Sequence, residues 1–456
     1  MTPQTLDRAA GVLVASAAGD ALGVPYEFTA GTEDPQMIGG GLGRLAPGQW
    51  SDDTDMACAI TRAALQHKDL RTTEALDAIA AGFVEWYAQG PGDIGIQTRR
   101  ILSERPLNAA DMTVLAHELH QQTGRSGGNG SLMRTAPVAL AHLHDEAALV
   151  EAAREVSVLT HYEKDAQDAC VLWCLAIRHA VLTGELDVRV GLPHVAEIWA
   201  ERLDDAEANE PDEYADNNGW VVAALQGAWS AISRSSGLAD GLRRAVAGGG
   251  DTDTVSAIAG ALLGAKHGAS AVPQSWRRHL HGWPGWTARE LTLNAITLVR
   301  GDDPHGFPGI ARMKHPLSDP TVVPHPDDPG VLLGTLGGLS SHGADAVVTL
   351  CRIGTDERQG PDHHEVWLID ADDANIDPAA VLRDTAELVR DLRQEAKTVY
   401  LHCVAAHTRT PLAAAAYGAL ITGSSASEAL DRVERVLPSA IPTRSLRRAF
   451  LQGWEA

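Results

Sequence analysis

The sequence predicts two domains of different class: an all-α domain over residues 1–300 and a small α/β domain over residues 331–456, joined by a Pro-rich linker at 301–330. Three observations carry this. Up to about residue 300, apolar residues recur at three- and four-residue steps, as in "LDRAAGVLVASAAGDALG" and "DTVSAIAGALLGAKHG", the period of helices with one buried face. Residues 301–330 hold seven of the 23 prolines and no amphipathic period, which suits a linker. Beyond it, "VLLGTL", "AVVTLCRIG", "EVWLID" and "TVYLHC" are short apolar runs that alternate with helical segments at 378–396 and 411–420. That alternation is a βα pattern with a small, mostly parallel sheet.

In the first helix Gly11, Ala15, Gly19 and Gly23 fall four residues apart, a stripe with almost no side chain. Each glycine costs about 1 kcal/mol of helix propensity relative to alanine, so close packing by a second helix, or a nearby site, is expected to compensate. The 456 residues are 44% hydrophobic and 21% charged, ordinary for a soluble globular chain. A net charge of −23 leaves no long-range positive field for phosphate backbones, so bulk nucleic-acid binding is not expected. Five scattered cysteines fit a reduced protein rather than a disulfide framework. No basic n-region opens the chain, and no window reaches the roughly 18 uninterrupted apolar residues of a membrane helix. The expectation is a cytoplasmic protein with no membrane partner.

Two acidic stretches stand out. "SDDTD" (51–55) and "GGDTDT" (249–254) each precede a small-residue apolar run, so each sits at a predicted helix start. Capping explains one or two such residues per helix. It does not explain Asp52, Asp53 and Asp55 within four positions, whose repulsion needs a positive partner. Gly248, Gly249 and Gly250 let the chain turn tightly before the second stretch. Carboxylates and hydroxyls are hard donors and neither motif holds His or Cys, which favours Mg²⁺, with Mn²⁺ as a substitute, over zinc. Two such clusters suit a two-metal site. "GGNGSLMR" (127–134) offers free backbone N–H groups as a cradle for a pyrophosphate, with Asn129, Gly130 and Ser131 as candidates. Met133 and Arg134 join them as binding candidates, with packing and a salt bridge as the other reading.

"GDALGVPYE" (19–27), "SDDTD", "GDIG" (92–95), "GGNGSLMRTAP" (127–137), "LTH" (159–161), "NNGWVV" (217–222) and "GGDTDT" occur in this order. The series over residues 6–290 resembles the ADP-ribosylglycohydrolase family. The resemblance implies an all-helical fold, two Mg²⁺ ions (Mn²⁺ substituting), and removal of ADP-ribose from modified proteins or small molecules. It implies metal ligands at Ser51, Asp52, Asp53, Asp251, Asp253 and Thr254, a glutamate beside the metals at Glu27, an aspartate for substrate or proton handling at Asp93, and a ribose-side histidine at His161. Asp53, Asp93 and Glu27 are the candidate bases. Ser51 stands where Thr is commoner, and either hydroxyl supplies oxygen.

The second chemistry lies in "TVYLHCVAAHTRTPLAAAAYG" (398–418). A strand ends at His402, Cys403 is followed after five residues by Arg409, and Thr410 caps a helix with Pro411 in its first turn. A thiol among N–H groups at a helix start is a thiolate nucleophile in the making, and Arg409 offers a bidentate fork to phosphate. The pattern resembles the cysteine-dependent protein tyrosine and dual-specificity phosphatases over 331–456. It implies Cys403 as nucleophile, Arg409 on the phosphate, Thr410 aiding the leaving thiolate, and an upstream aspartate as general acid, first Asp370. One departure is Ala406 where glycine is usual; a positive φ there strains alanine. Three functions stay open: a bifunctional enzyme, a hydrolase whose second domain only binds phosphorylated or ADP-ribosylated partners, and a non-enzymatic scaffold.

Overall fold

The computed structural model describes residues 1–300, 320–351, 353–360 and 362–455. They form two compact units. The larger takes in Arg8–Val272 and His279 to residue 300; the smaller takes in the chain from residue 320 together with Met1–Asp7 and Pro273–Arg278.

The larger unit is helical. Its elements are α1 (Pro3–Gly23), α2 (Asp52–Gln66), α3 (Thr73–Ala88), α4 (Ile96–Ser103), α5 (Ala109–Thr123), α6 (Ala136–Ala141), α7 (Glu146–Val158), α8 (Lys164–Thr183), α9 (Ile198–Ala208), α10 (Val221–Ser233), α11 (Leu238–Ala247) and α12 (Thr252–His267). After α13 (Gln274–Arg277), which groups with the smaller unit, a two-rung hairpin of β1 (His281–Gly282) and β2 (Trp286–Thr287) leads into α14 (Ala288–Arg300). Helix α12 is central, with Thr252 to Ala265 buried throughout.

The glycine stripe of α1 lies against α12 as the sequence predicts. A Cβ on Gly11 would stand 2.2 Å from the Gly264 carbonyl oxygen, one on Gly19 2.1 Å from that of Ser256, and one on Gly23 2.4 Å from the Asp253 Cα. The approach is reciprocal, since a Cβ on Gly260 or Gly264 would meet the oxygens of Ala15 and Gly11 at 2.2 and 2.0 Å. The two backbones therefore touch, and hydroxyls seal the contact: Ser256 Oγ donates to the Gly19 carbonyl at 2.7 Å and Ser16 Oγ to that of Ala257 at 3.0 Å. Helix α1 with the turn after it is long and apolar enough to span a bilayer by length and composition, yet it is mostly buried in the unit.

The smaller unit is a five-stranded sheet in the order β3-β4-β7-β5-β6, from β3 (Val322–Pro324), β4 (Val331–Thr335), β5 (Ala346–Thr349), β6 (His363–Glu365) and β7 (Val399–Cys403). Only β3 is antiparallel. Helices α15 (Pro378–Gln394), α16 (Arg409–Thr422), α17 (Ala426–Val436) and α18 (Arg444–Glu455) pack with it. Val331, Leu333, Val348, Val399 and Leu401 from the strands meet Leu382, Val389, Leu412 and Leu430 from the helices in one buried core.

Two expectations are corrected here. The stretch read as linker is not wholly connection: Val322–Pro324 pairs with Leu332–Gly334 as an edge strand, where a proline is tolerated because an outer N–H is not needed. The remainder, 301–319, lies outside the described residues. In "EVWLID" the ladder stops at Glu365, and Val366 to Leu368 are buried without being strand.

Candidate active site

The site is built where α1, α2 and α12 converge. Asp20 comes from the last turn of α1, Glu27 from the turn after it, Asp53 from the start of α2 and Asp251 and Asp253 from the start of α12. Oxygens of Asp20, Asp53 and Asp253 lie within 4.8 Å of one another, as do those of Glu27, Asp251 and Asp253. The two triads share Asp253, so segments two hundred residues apart form one continuous cage.

Capping does not account for these carboxylates. Ser51 and Asp251 occupy the N-cap positions of α2 and α12, and neither side chain caps a backbone N–H of its helix. Ser51 Oγ instead donates to Asp53 Oδ2 at 2.9 Å. Asp251 Oδ2 accepts the Asn129 amide at 2.7 Å, and its backbone N–H donates to Asn218 Oδ1 at 2.9 Å. Gly250, at φ +71°, makes the turn that delivers Asp251; a Cβ there would stand 2.4 Å from the Ala215 carbonyl oxygen. Asp20 is held from the other side by the Ser51 and Thr54 N–H groups and the Thr54 hydroxyl, at 2.8, 3.0 and 2.6 Å.

The electrostatics of the cage follow from burial and crowding. Burial first, then the neighbouring carboxylates, push Asp52 up to about 7, and burial alone outweighs the hydrogen bonds on Asp20, which reaches about 6. Burial and then Asp93, Asp251 and Asp52 raise Glu27 to about 9. Asp53 and Asp253 stand well above the ordinary carboxylate range for the same reasons, burial leading. Among the described residues none of these acids is in an ion pair, and Asp53 Oδ1 is buried with no hydrogen-bond partner. Crowded buried carboxylates with an orphaned oxygen are relieved either by holding protons or by a bound cation. An all-oxygen donor set of this kind fits a hard divalent ion.

The other predicted residues fall around the cage. Asp52 Oδ2 accepts the Gly95 N–H at 3.1 Å, and Asp93 hydrogen-bonds the Glu27 carboxyl, at the half-buried rim. Asn129 also donates to the Asn218 carbonyl at 2.9 Å, so it braces Asp251. Thr254 Oγ1 is 3.9 Å from Met133 Sδ, with both residues buried. The glycine loop is pressed on His161: a Cβ on Gly130 would lie 2.9 Å from the ring. Burial keeps that imidazole well below its ordinary value, hence neutral, and Nδ1 pairs with Thr160 Oγ1 at 2.7 Å. Ser131 and Arg134 face inward. Ser131 Oγ accepts from Ser157 Oγ at 3.0 Å, and Arg134 donates to Thr160 Oγ1 at 2.6 Å while its guanidinium sits 4.5 Å from the Phe83 ring centroid.

Two site residues escaped the sequence reading. Asp20 sits inside "GDALGVPYE" and Asn218 inside "NNGWVV"; both lie in quoted motifs, and an acid amid a side-chain-free stripe was the available signal. Asp55 turns away from the cage, accepting the Trp50 and Trp86 indole N–H groups at 2.9 and 2.8 Å and the Trp283 N–H at 3.1 Å.

In the smaller unit Cys403 ends β7, buried, and Arg409 opens α16. Arg409 Nη1 donates to the Leu350 carbonyl at 2.6 Å and more weakly to that of Leu368, and Nε lies 4.0 Å from Asp370 Oδ2. Thr410 Oγ1 donates to the Gly334 carbonyl at 3.4 Å. Ala406 has φ +55°, the left-handed conformation that the missing glycine would favour. Behind the loop, Thr349 Oγ1 lies 2.7 Å from both His402 Nε2 and His363 Nε2. Because His363 Nδ1 accepts the Gln359 N–H at 2.8 Å, its proton is on Nε2, Thr349 accepts it and donates to His402. The remaining His402 proton is then on Nδ1, toward the Cys403 carbonyl at 3.3 Å.

An all-helical body with a buried carboxylate cage is an architecture suited to a hard divalent cation. The ADP-ribosylglycohydrolase family matches residues 1–304. ADP-ribosylarginine hydrolase Tri1 of Pseudomonas putida is 29% identical over 289 residues, 60% of this chain and 75% of that protein. ADP-ribosyl-[dinitrogen reductase] glycohydrolase of Rhodospirillum rubrum is 29% identical over 281 residues, 60% of this chain and 90% of that protein. A solved ADP-ribosylglycohydrolase-related protein complex is similar at 28% identity with a TM-score of 0.51, covering 66% of this chain and 99% of that one. The crystal structure of human DUSP28 is similar at 18% identity and a TM-score of 0.27, covering 31% of this chain and 96% of that one. The chain belongs to the ADP-ribosylglycohydrolase family, and it is a hydrolase.

Proposed function

We propose that the protein is a Mg²⁺-dependent hydrolase that cleaves the glycosidic bond between ADP-ribose and an acceptor, either a protein side chain or a small molecule. The observation that supports this most is the cage itself, with buried acids, an orphaned Asp53 oxygen and, among the described residues, no cationic side chain paired to any of them. Asp20, Asp53 and Asp253 would hold one ion and Glu27, Asp251 and Asp253 a second, with Ser51, Asp52 and Thr254 adjoining. Bound there, such ions supply Lewis-acid polarisation of the ribose hydroxyls.

The chain's own residues do the rest. Asn129 and Asn218 fix Asp251, Ser51 fixes Asp53, and both acids are thereby preorganised. The 127–131 loop lies beside Asp251 and offers backbone N–H groups to the pyrophosphate. Asp93 hydrogen-bonds the Glu27 carboxyl at the rim. The pair takes one proton from the attacking water and returns one to the departing acceptor, so it ends as it began. Mg²⁺-dependent ADP-ribose release from a panel of linkages, with Asp53→Ala as control, tests the reading; release that is unchanged in EDTA would overturn it.

For the smaller unit the reading is a cysteine phosphatase, with Cys403 as nucleophile, Arg409 binding phosphate and Asp370 as acid. A second reading, a phosphate-binding module without turnover, is favoured by Ala406 at its left-handed φ. Hydrolysis of p-nitrophenyl phosphate by wild type but not Cys403→Ser supports the first; no Cys403-dependent turnover supports the second. Fusion of the two chemistries suits an ADP-ribose derivative that also carries a phosphate ester.

A further inference from the structure

The glycine loop is held at its entry by side chains. All three polar groups of Ser126 are taken: its N–H donates to Glu163 Oε2 at 2.8 Å, its carbonyl accepts Gln97 Nε2 at 3.1 Å, and its hydroxyl lies 2.8 Å from His120 Nδ1. We propose that Gln97 is a positioning residue that sets the separation between the carboxylate cage and the 127–131 loop, and with it the spacing at which one ligand is held by both its ribose and its pyrophosphate. The proposal deepens the hydrolase reading above and rests on it.

Gln97 sits half-buried in the first turn of α4, two residues after Gly95, whose N–H donates to Asp52 Oδ2 at 3.1 Å. The Gly95 carbonyl accepts the Arg99 N–H at 2.9 Å, so Gly95 and Gln97 belong to one closed helical turn. The Gln97 amide gives a second bond, at 2.7 Å, to the Thr160 carbonyl. Both of its partners are carbonyl oxygens, which accept and cannot donate, so only the NH2 end can face them and the orientation of the amide is fixed. One turn of α4 thus grips the cage edge through a backbone N–H and the loop through a side chain. The two grips keep one distance.

The Thr160 bond ties the loop to its backing. His161 follows Thr160, and a Cβ on Gly128 would stand 3.2 Å from its Nε2 and one on Gly130 2.9 Å from its Cε1. Gln97 therefore clasps the loop and the imidazole segment behind it in one amide. The other ties of the loop run to the segment that opens α10: the Asn129 N–H donates to the Gly219 carbonyl at 3.1 Å and the Val221 N–H to the Gly127 carbonyl at 2.9 Å. Removing the Gln97 amide leaves those ties in place and frees the α4 side. Neither bond of Gln97 goes to an acid of the cage, which separates its role from metal holding.

The test uses Gln97→Met, which keeps the length of the side chain and loses both donors. ADP-ribose is titrated calorimetrically at saturating Mg²⁺, and KM and kcat are measured on an ADP-ribosylated substrate that wild type cleaves. The expected result is an ADP-ribose Kd and a KM each raised roughly tenfold, as for the loss of two hydrogen bonds, with kcat little changed and Mg²⁺ raising the Tm as it does in wild type. Unchanged Kd and KM would overturn the proposal. So would a Mg²⁺ response lost in step with them, because that marks a general loosening of the unit. Should wild type release ADP-ribose from no linkage, the hydrolase reading fails, and hydrogen exchange over residues 124–132 without ligand still decides whether Gln97 holds the loop: faster exchange in Gln97→Met supports the clasp and equal exchange overturns it. If Gln97→Met does not fold, Gln97→Asn, one methylene too short to reach both carbonyls, carries the same measurements.

Discussion

Replacing Asp53 by Asn should make the metal-free protein more stable while abolishing its response to Mg²⁺. In the folded chain Asp52 is raised from 3.8 to about 7, Asp20 to about 6 and Glu27 to about 9. These carboxyls hold protons more tightly folded than unfolded, so between pH about 4 and about 9 the metal-free protein loses stability as pH rises. At 1.36 kcal/mol per unit, keeping buried Asp52 ionised at pH 8 costs on the order of 4 kcal/mol. A neutral amide at position 53 removes one of the charges that raise Asp253 and donates to neighbouring carboxylates. Relief of one such repulsion should recover on the order of 1 kcal/mol, a Tm rise of roughly 2 °C for a unit of this size. Thermal unfolding at pH 8, in EDTA and in Mg²⁺, reads both effects. Wild type gains stability from Mg²⁺ by mass action and its pH dependence flattens; Asp53→Asn gains nothing and releases no ADP-ribose. If Asp53→Asn melts at or below wild type in EDTA, the cage is not electrostatically strained and the argument for a cation falls.

Gly264→Ala places a Cβ 2.0 Å from the Gly11 oxygen; the clash outweighs about 1 kcal/mol of helix propensity, and overpacking of about 1–3 kcal/mol should appear as a lower Tm together with weaker Mg²⁺ binding. Ala406→Gly releases the φ +55° strain and should stabilise the smaller unit by up to about 1 kcal/mol, with higher Cys403-dependent turnover of p-nitrophenyl phosphate if any exists. Thr349→Val breaks the His402–Thr349–His363 chain and should cost about 1–3 kcal/mol through two under-satisfied buried imidazoles, with the rate of Cys403 alkylation by iodoacetamide altered across pH.

The parts of this structure that rest on local pattern were readable from residues. Helical period and the glycine stripe gave the close approach of a second helix to α1, though not that the partner is α12, because an absent side chain leaves a visible gap in composition. "GGGDTDT" and "SDDTD" pointed to one centre because massed acids have few bland explanations. Asp20 was only weakly readable as a site residue: one aspartate amid small residues names no partner, and only the crossing of two helices brings it to Asp253. The role of Asn129 was equally hidden, since its partner Asp251 lies 122 residues away. Val322–Pro324 looked like connection because an edge strand tolerates proline and needs only half its ladder.

The contact of α1 with α12 has a consequence for ion choice. Side chains can swing to suit a larger or smaller guest, but peptide groups already at van der Waals limit have no second rotamer to adopt. The gap between Asp20 and Asp253 is therefore dictated by main-chain thickness. If a divalent ion binds there as proposed, substitution of the glycines at 11, 19, 23, 260 or 264 would shift its ligands although none of these residues would touch it.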